Sequence, residues 1–575
     1  MSFELNLPLE ELEKRTNKDY LIRKTMLEKG AKEFELLEEG DKEALKHLVK
    51  AANQINFVYM KQDNELNIPF KKFLEEETLK GNKQAELTKI LFDAQLGIIG
   101  IDSESKHVIL LKGAKILEGK AFYPADLTKE EFASILKTML KNGKKDEVKR
   151  ILNQRTIVKR NGDELKAVDY TEAFKQEFLI IADELEAAAK TSTNKDFNEY
   201  LLLQAKALME NDPMLDAKAD KKWASLQNTP LEFTISREQY ADLMTGSVIE
   251  DKELGELLEK SEISPISKDS IGARVGIVNK QGTENLLKVK NYLPLMAENM
   301  PLKERYEQNI SSEEDNLQTM VDVDIVALRG DEGSYRGGIT IAQNLPNNDK
   351  LSLTIGGGRR NVYHRQVRTS NTPEALERRK KRLNATLNPE LHKYYNPEAD
   401  HWFTIGHENV HSLGPKSGTE ALGKYKNIIE ENKADMGSLA LLDCLAEQGV
   451  YTEEERKQIL VTFGANCFLK AKPELSQAHR VRTVMQAYFF IKEGALTVND
   501  GVIDINIDKM TSAARKMLTE IIEVQLSQDF SRGEKYINDY FKWTEDIEKV
   551  SQKLKETDKS LNGVIVTPLA DFLDS

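Results

Sequence analysis

The sequence has little cysteine and no long apolar run. Only two cysteines, Cys444 and Cys467, occur in 575 residues, which excludes the disulfide framework of small secreted domains. No stretch approaches the roughly eighteen consecutive apolar residues of a membrane-spanning helix. The first residues also lack the basic and then apolar order of a signal peptide. We therefore expect a cytoplasmic protein without a membrane partner, although a processed N-terminus would give the same sequence.

Basic residues are fewer than acidic ones. The 82 Lys and Arg residues are outnumbered by 95 Asp and Glu residues, which gives a formal net charge of -13. Nucleic-acid-binding proteins usually carry a basic surface, so nucleic acid is not an expected partner. The basic cluster at residues 378 to 382 is interpreted as a solvated helix face. The length is more than one core can use and suggests about two to four domains.

The segment from residue 396 to residue 415 predicts a helix with clear end signals. Asn396 is a good N-cap, and Pro397 suits the first helical position. Gly414 and the proline after it would end the helix. The residues between these signals include His407 and His411, which the prediction places well inside the helix.

His407, Glu408 and His411 form an HExxH pattern within this helix. Residues four apart lie on one face of an α-helix, so both imidazoles can reach one metal ion, with Glu408 beside them. A second predicted helix, which begins near Ser417, carries Glu431. Two histidines and one carboxylate leave a fourth position open for water, as a catalytic zinc site requires. The competing interpretation is a chance HExxH on two solvated helix faces.

The sequence thus predicts one Zn²⁺ per chain, held by His407, His411 and Glu431, with Glu408 as the general base. Glu430 or Asp435 would accept the outer N–H of a ligand imidazole and fix its tautomer.

The remaining sequence predicts an α+β fold. Residues 8 to 50 and 171 to 211 show helical periodicity, and nearly everything after residue 373 does so too. Strand-like segments concentrate in the middle of the chain and predict a mixed sheet or a small barrel. These segments, with one at the C-terminus, are residues 231 to 246, 273 to 280, 320 to 330, 335 to 347, 350 to 358 and 563 to 568.

Several motifs together resemble one known family. FYPADLTKEEF, NLPN, HENVH, EENKAD and QAH occur in this order, and with them the chain resembles the dipeptidyl peptidase III zinc metallopeptidases, in particular the bacterial, Nudix-associated branch. The resemblance implies two lobes, a helical upper lobe that holds zinc and a lower lobe built on a five-stranded β-barrel. A peptide would bind as an added strand in the cleft. The expected lower-lobe segments are 1–280, 319–370 and 563–575, and the expected upper-lobe segments are 281–318 and 371–562.

The same resemblance assigns roles to five further residues. His479 and Tyr240 would stabilise the transition state, Glu238 would receive the substrate ammonium, and Asn344 and Asn347 would hold the substrate main chain. Without the resemblance, the asparagines would be interpreted as turn residues, the tyrosine as a sheet residue and the histidine as a surface residue.

The chain departs from the family pattern in three places. The usual zinc motif has six residues, HExxGH, whereas HENVH has five and fits a regular helix. A glutamate expected around Gly272 is absent, so one ammonium contact should be missing. An arginine expected at position 483 is Thr483 here, with Arg482 adjacent.

The sequence therefore predicts a zinc exopeptidase that releases dipeptides from the N-terminus of short peptides, as a monomer or homodimer. One alternative is a zinc aminopeptidase or oligopeptidase of different register, including a thermolysin-like enzyme, which the local spacing of Glu431 and Asp435 also fits. Another is a peptide-binding protein with low turnover.

Overall fold

The structure is a computed structural model. It describes residues 3–17, 27–101, 106–210, 212–238, 242–308, 319–332, 342–345, 360–364, 373–415, 419–475, 477–559 and 568–573.

A five-stranded mixed sheet lies at the centre of the N-terminal half. Its strands are β1 (Leu231–Glu238), β2 (Ser270–Asn279), β3 (Thr319–Gly330), β4 (Ala342–Leu345) and β5 (Arg360–His364). They are hydrogen-bonded in the order β1-β2-β3-β5-β4, and only β3 and β5 run parallel. The sheet is curled into a half-barrel. Strands β1 to β3 are buried on both faces over most of their length.

Helices and two hairpins surround this sheet. The long helix α1 (Glu39–Asp63) packs against β2 and β3, and its buried side includes Leu45, Leu48 and Ile55. The other helices before residue 300 are Leu9–Thr16, Lys32–Glu35, Asn67–Leu79, Lys83–Gln95, Lys129–Lys141, Lys145–Ile151, Tyr170–Ala173, Lys175–Thr191, Lys195–Glu210, Pro213–Ala224, Leu243–Glu250, Lys252–Lys260, Lys280–Lys290 and Leu293–Glu298. The antiparallel hairpins pair Ile99–Ile101 with His107–Ile109 and Thr156–Asn161 with Glu164–Asp169.

The C-terminal half is almost entirely helical. Four of its helices build the site described below: α2 (Pro397–Val410), α3 (Lys426–Ala440), α4 (Ala478–Lys492) and α5 (Ile507–Ser527). The others are Pro373–Thr386, Leu442–Glu447, Glu453–Asn466, Phe530–Tyr540, Glu545–Lys559 and Ala570–Leu573, and one hairpin pairs Leu496–Asn499 with Val502–Ile505. None of the described helices is long and apolar enough to cross a membrane.

Two large hydrophobic cores match the two-lobed α+β fold that the sequence predicts. The first joins α1, the sheet and the C-terminal residues Leu569, Ala570 and Leu573. The second joins residues between 286 and 300 with the helices from residue 387 to residue 550. The exact segment boundaries of the two lobes stay a prediction. The predicted C-terminal strand falls mostly on residues outside the described part of the chain.

Candidate metal centre

The helix α2 begins where the sequence predicts. The Asn396 side chain accepts a hydrogen bond from the backbone N–H of Glu398 at 3.0 Å, and Pro397 occupies the first turn. His411 is the C-cap residue, and its backbone remains helical with φ of -57°. The HExxH pattern is therefore carried on one continuous helical backbone.

The second helix of the site begins later than predicted. Residues 419 to 425 form a 3₁₀ segment, and α3 begins at Lys426, whereas Ser417 lies outside the described residues. Two glycines let α2 and α3 approach closely, since a Cβ atom on Gly406 would collide with Ser438, and one on Gly437 would collide with Val410. This close packing brings the histidines of α2 next to the carboxylates of α3.

Three side chains converge at this contact. His407 Nε2 lies 3.1 Å from His411 Nε2 and 3.5 Å from Glu431 Oε2. His411 Nε2 lies 3.9 Å from Glu431 Oε1. One possible ligand atom from each residue lies within 4.8 Å of the other two. His407 is buried, whereas His411 and Glu431 are half-buried. The three predicted zinc ligands thus form one group.

The outer nitrogens of both imidazoles face carboxylates. His407 Nδ1 is 2.7 Å from Asp435 Oδ1, and His411 Nδ1 is 3.0 Å from Glu430 Oε1. A carboxylate at Nδ1 favours a proton on that nitrogen and leaves the Nε2 lone pair for a metal ion. Both carboxylates predicted to orient the ligands therefore lie where they could do so, one for each histidine.

The charges of the group depend on one another. Burial alone would lower the pKa of His411, but the hydrogen bond with Glu430 and the charge of Glu431 raise it to about 9. Burial would raise the pKa of Glu430, but Lys433 and His411 lower it to about 2. Burial would also raise the pKa of Glu431, but His479, His411 and His407 hold it well below its ordinary value. The carboxylates are thus anionic at neutral pH, and without a metal ion His411 is a cation.

The donor set fits a zinc ion. Two imidazole Nε2 atoms and one carboxylate are the ligand types of catalytic zinc. Glu431 Oε2 is buried and accepts no well-formed hydrogen bond from the described residues, although His479 Nδ1 lies 3.2 Å away. The two Nε2 atoms lie only 3.1 Å apart, so their lone pairs face each other unless a proton or a metal cation lies between them. The geometry therefore favours a cation at this position.

Two further predicted residues border the group. Glu408 is 8% exposed, and its carboxylate accepts no hydrogen bond from the described residues. It remains available to a proton donor. The His479 side chain, at the start of α4, is 71% exposed and contacts Glu431 from the solvent side. His479 thus lies at the open edge of the group.

The sequence is similar to that of one curated protein over most of its length. No family model matches the chain. Nudix hydrolase 3 of Arabidopsis thaliana is 22% identical over 489 residues, which are 79% of this chain. The chain spans 58% of the length of that relative.

Two solved structures match nearly the whole chain. The structure of DPP III from Caldithrix abyssi has a TM-score of 0.78 and 22% identity, with 97% of this chain and 99% of that chain covered. The dipeptidyl-peptidase III structure from Corallococcus sp. strain EGB has a TM-score of 0.74 and 21% identity, with 99% of both chains covered. The chain has the dipeptidyl peptidase III fold. At the level of the fold, the resemblance seen in the sequence is confirmed.

The residues predicted to hold a substrate in this fold are only partly described. Tyr240 and Asn347 lie outside the described residues, and for Asn344 the structure describes only the backbone, within β4. Glu238 is the last residue of β1 and is half-buried. The charged groups near it include Arg274 of β2 and Glu332, which follows β3, and neither residue belongs to the metal centre. The substrate roles of these four residues stay predictions.

Two residues support the metal centre although the sequence did not predict this role for them. Arg482 forms an ion pair with Asp435, and Gln486 Nε2 donates to Asp435 Oδ2 at 2.8 Å. Gln486 Nε2 also lies 2.9 Å from Asn432 Oδ1. Arg482 and Gln486 follow His479 on α4 at intervals of three and four residues, so all three lie on one helix face. This spacing is the feature from which the sequence could have indicated Arg482 and Gln486. It points to the metal centre only once α4 is known to pack on α3.

Proposed function

We propose that the protein is a zinc-dependent exopeptidase that releases dipeptides from the N-terminus of short peptides. One observation carries this proposal. The two imidazoles of an HExxH helix and the Glu431 carboxylate converge within a dipeptidyl peptidase III fold, and each imidazole is backed by its own carboxylate. Such a site combines a metal with an adjacent free base, the combination that peptide hydrolysis by a metallopeptidase requires.

A bound zinc ion with one open position would polarise the peptide carbonyl and lower the pKa of a water molecule towards 7. Glu408 takes a proton from the attacking water and returns it to the leaving amine. Its burial without a hydrogen-bonding partner among the described residues supports this role. Asp435 and Glu430 keep the imidazoles in the orientation and tautomer that metal binding needs.

His479 completes the proposed reaction. Its contact with Glu431 and its exposed ring put it at the open side of the metal group. From there, its second ring nitrogen can donate a hydrogen bond to the oxygen on which negative charge develops. Tyr240 is assigned to the same task by the family resemblance.

Product analysis tests the proposal. The zinc-loaded protein is incubated with a free tetra-alanine peptide and with its N-acetylated form, and the products are identified by mass spectrometry. We expect dialanine from the free peptide and much slower cleavage of the acetylated peptide. Release of single alanines, or equal cleavage of both peptides, would favour an aminopeptidase or an oligopeptidase. Tight peptide binding without products would indicate a binding protein.

A further inference from the structure

The two histidines of the metal centre differ in their position on α2. His407 lies inside the helix, whereas His411 is its C-cap residue. The last carbonyl groups of a helix have no partner within the helix, and helix ends fray unless other groups bind them. The HExxH pattern therefore puts one of the two expected metal ligands at the end of α2 that the helix itself restrains least.

A buried lysine of α3 binds the chain at this end. Lys433 is 3% exposed, and its Nζ donates a hydrogen bond to the carbonyl oxygen of Leu413 at 2.6 Å. Leu413 is fully buried, so its carbonyl group cannot bond to bulk water instead. The next residue, Gly414, has φ of +96°, and a Cβ atom there would lie 3.2 Å from Lys433 Cδ. The chain thus turns over the lysine side chain at a position that favours glycine.

The same ammonium group contacts the carboxylate that faces His411. Lys433 Nζ lies 2.8 Å from Glu430 Oε1, and this oxygen is also 3.0 Å from His411 Nδ1. Lys433 and Glu430 are three residues apart on α3 and are therefore neighbours on one face of that helix. One cation thus contacts both the chain at the end of α2 and the carboxylate that orients the imidazole there.

A residue of α5 binds the other oxygen of this carboxylate. Gln525 is 1% exposed, and its Nε2 donates to Glu430 Oε2 at 3.0 Å. Both oxygens of Glu430 are thus engaged, one by His411 and Lys433 and the other by Gln525. Rotation of the carboxylate would break at least one of these contacts, so its orientation is fixed.

The imidazole of His407 is supported in a similar way. The carboxylate that faces it, Asp435, pairs with Arg482 and accepts a hydrogen bond from Gln486. Each orienting carboxylate therefore contacts one cation and one glutamine amide. This repetition at both histidines supports a role for Lys433 in the metal centre rather than in packing alone.

We propose that Lys433 is a positioning residue of the metal centre, which links the end of α2 to Glu430 and thereby holds His411 in the orientation that binds a metal ion. The inference rests on the proposed function, because it requires a metal ion at His411. Lys433 acts through other groups and takes no part in proton transfer. Its charge by itself would repel a metal cation. The inference therefore requires that the orienting effect outweighs this repulsion.

Zinc affinity tests this role. Lys433→Met keeps an apolar chain of similar length but removes the charge and the N–H donors. Lys433→Gln keeps an N–H donor for a carbonyl oxygen, and it is measured alongside in case Lys433→Met does not fold. Lys268→Met is the matched control, because Lys268 is also buried and donates to two carbonyl oxygens, those of Ile151 and Asn153. Chelator competition at one fixed pH gives the zinc dissociation constants, and thermal unfolding shows which variants are folded.

We expect Lys433→Met to weaken zinc binding by about 10-fold, as for loss of an outer partner of a metal ligand. Lys433→Gln should weaken it in the same direction. The visible spectrum of the Co²⁺-loaded protein, which depends on the arrangement of ligands around that ion, should change in both variants. Lys268→Met should lower the melting temperature but leave zinc affinity and the Co²⁺ spectrum unchanged. Zinc binding by the Lys433 variants that is as tight as in the parent, or tighter, would overturn the inference.

Double substitutions show whether Lys433 acts through Glu430. In protein that carries Glu430→Gln, adding Lys433→Met should change zinc affinity by no more than about twofold, because the two residues share one contact. In protein that carries Asp435→Ala, which affects the other imidazole, the same addition should again cost about 10-fold. A loss of equal size in the parent and in both of these backgrounds would indicate a general packing effect and would also overturn the inference.

The outcome is separable from that of the proposed function. If the parent protein binds zinc but releases no dialanine, the exopeptidase proposal fails, and the zinc measurements still decide the role of Lys433. If the parent releases dialanine but Lys433→Met binds zinc as tightly as the parent, only the assignment of Lys433 fails.

Discussion

Zinc affinity should depend steeply on pH because a proton and the metal ion compete for His411. The hydrogen bond with Glu430 and the charge of Glu431 outweigh burial and raise the pKa of His411 from 6.5 to about 9. A histidine that binds zinc must be neutral, so zinc binding at pH 7 has to displace a proton from His411. The pKa of His411 lies about two units above that pH. The cost is about 100-fold in affinity, or about 2.7 kcal/mol. Affinity should thus rise about tenfold per pH unit from pH 7 and level off near pH 9.

The zinc-free protein should show the opposite trend in stability. A pKa that is higher in the folded than in the unfolded state stabilises the fold when the group is protonated. This contribution from His411 is fully present below pH 6.5 and is lost as the pH rises through 9. A difference of 2.5 units between those two values corresponds to about 3 kcal/mol. Zinc-free protein should therefore melt at a lower temperature at pH 9 than at pH 6. With zinc added, the protein should instead melt at a higher temperature at pH 9 than at pH 6.

Chelator competition from pH 6 to pH 8.5, corrected for protonation of the chelator, measures the slope. Glu430→Gln provides a comparison, because it removes the hydrogen-bonded charge that acts most directly on His411. In that variant the rise in affinity should level off at a lower pH. A zinc affinity that is flat between pH 7 and pH 8.5 in the parent protein would refute the reasoning, since an unperturbed histidine is already neutral there.

Three substitutions test the other roles. His411→Ala should reduce bound zinc from about one per chain to near zero in elemental analysis, because a ligand is lost; full occupancy would contradict the site. Glu408→Ala should keep zinc and the melting temperature but lose most of kcat, since its carboxylate is assigned to proton transfer and not to the metal; activity within a few-fold of the parent would exclude that role. Asp435→Ala should weaken zinc binding by about 10- to 100-fold and lower the melting temperature, because it leaves the Arg482 charge buried without this partner; unchanged affinity would leave the carboxylate without an effect on the metal.

Local signals in the sequence were sufficient to predict α2, the helix that carries both histidines of the site. The Asn396 cap, the proline at the first turn and the i, i+4 histidines each act within a few residues, so the start of α2 and the face of its histidines could be predicted. The start of α3 could not be predicted in the same way. Ser417 and Glu420 form a reasonable capping pattern, but residues 419 to 425 form a 3₁₀ segment, and the α-helix begins only afterwards.

Contacts between segments that are distant in the chain could not be predicted from the sequence. Arg482 lies 47 positions after Asp435 in the printed sequence, and their ion pair exists because α4 packs on α3. Glu332 reaches Gly272 only because β2 and β3 are neighbours.

The length of the zinc motif is matched to the spacing of the carboxylates on α3. His407 Nε2 and Nδ1 face Glu431 and Asp435, which are four residues apart, while His411 Nδ1 faces Glu430. Helix α2 thus places two histidines one turn apart, so that His407 Nδ1 meets Asp435 and His411 Nδ1 meets Glu430. An extra residue before His411 would rotate that histidine by about 100° in a regular helix and break its contact with Glu430 unless the helix were distorted. HENVH needs no such distortion, because the backbone of His411 continues α2 with φ of -57°. The five-residue motif therefore brings both histidines to the carboxylates of α3 without a break in the helix.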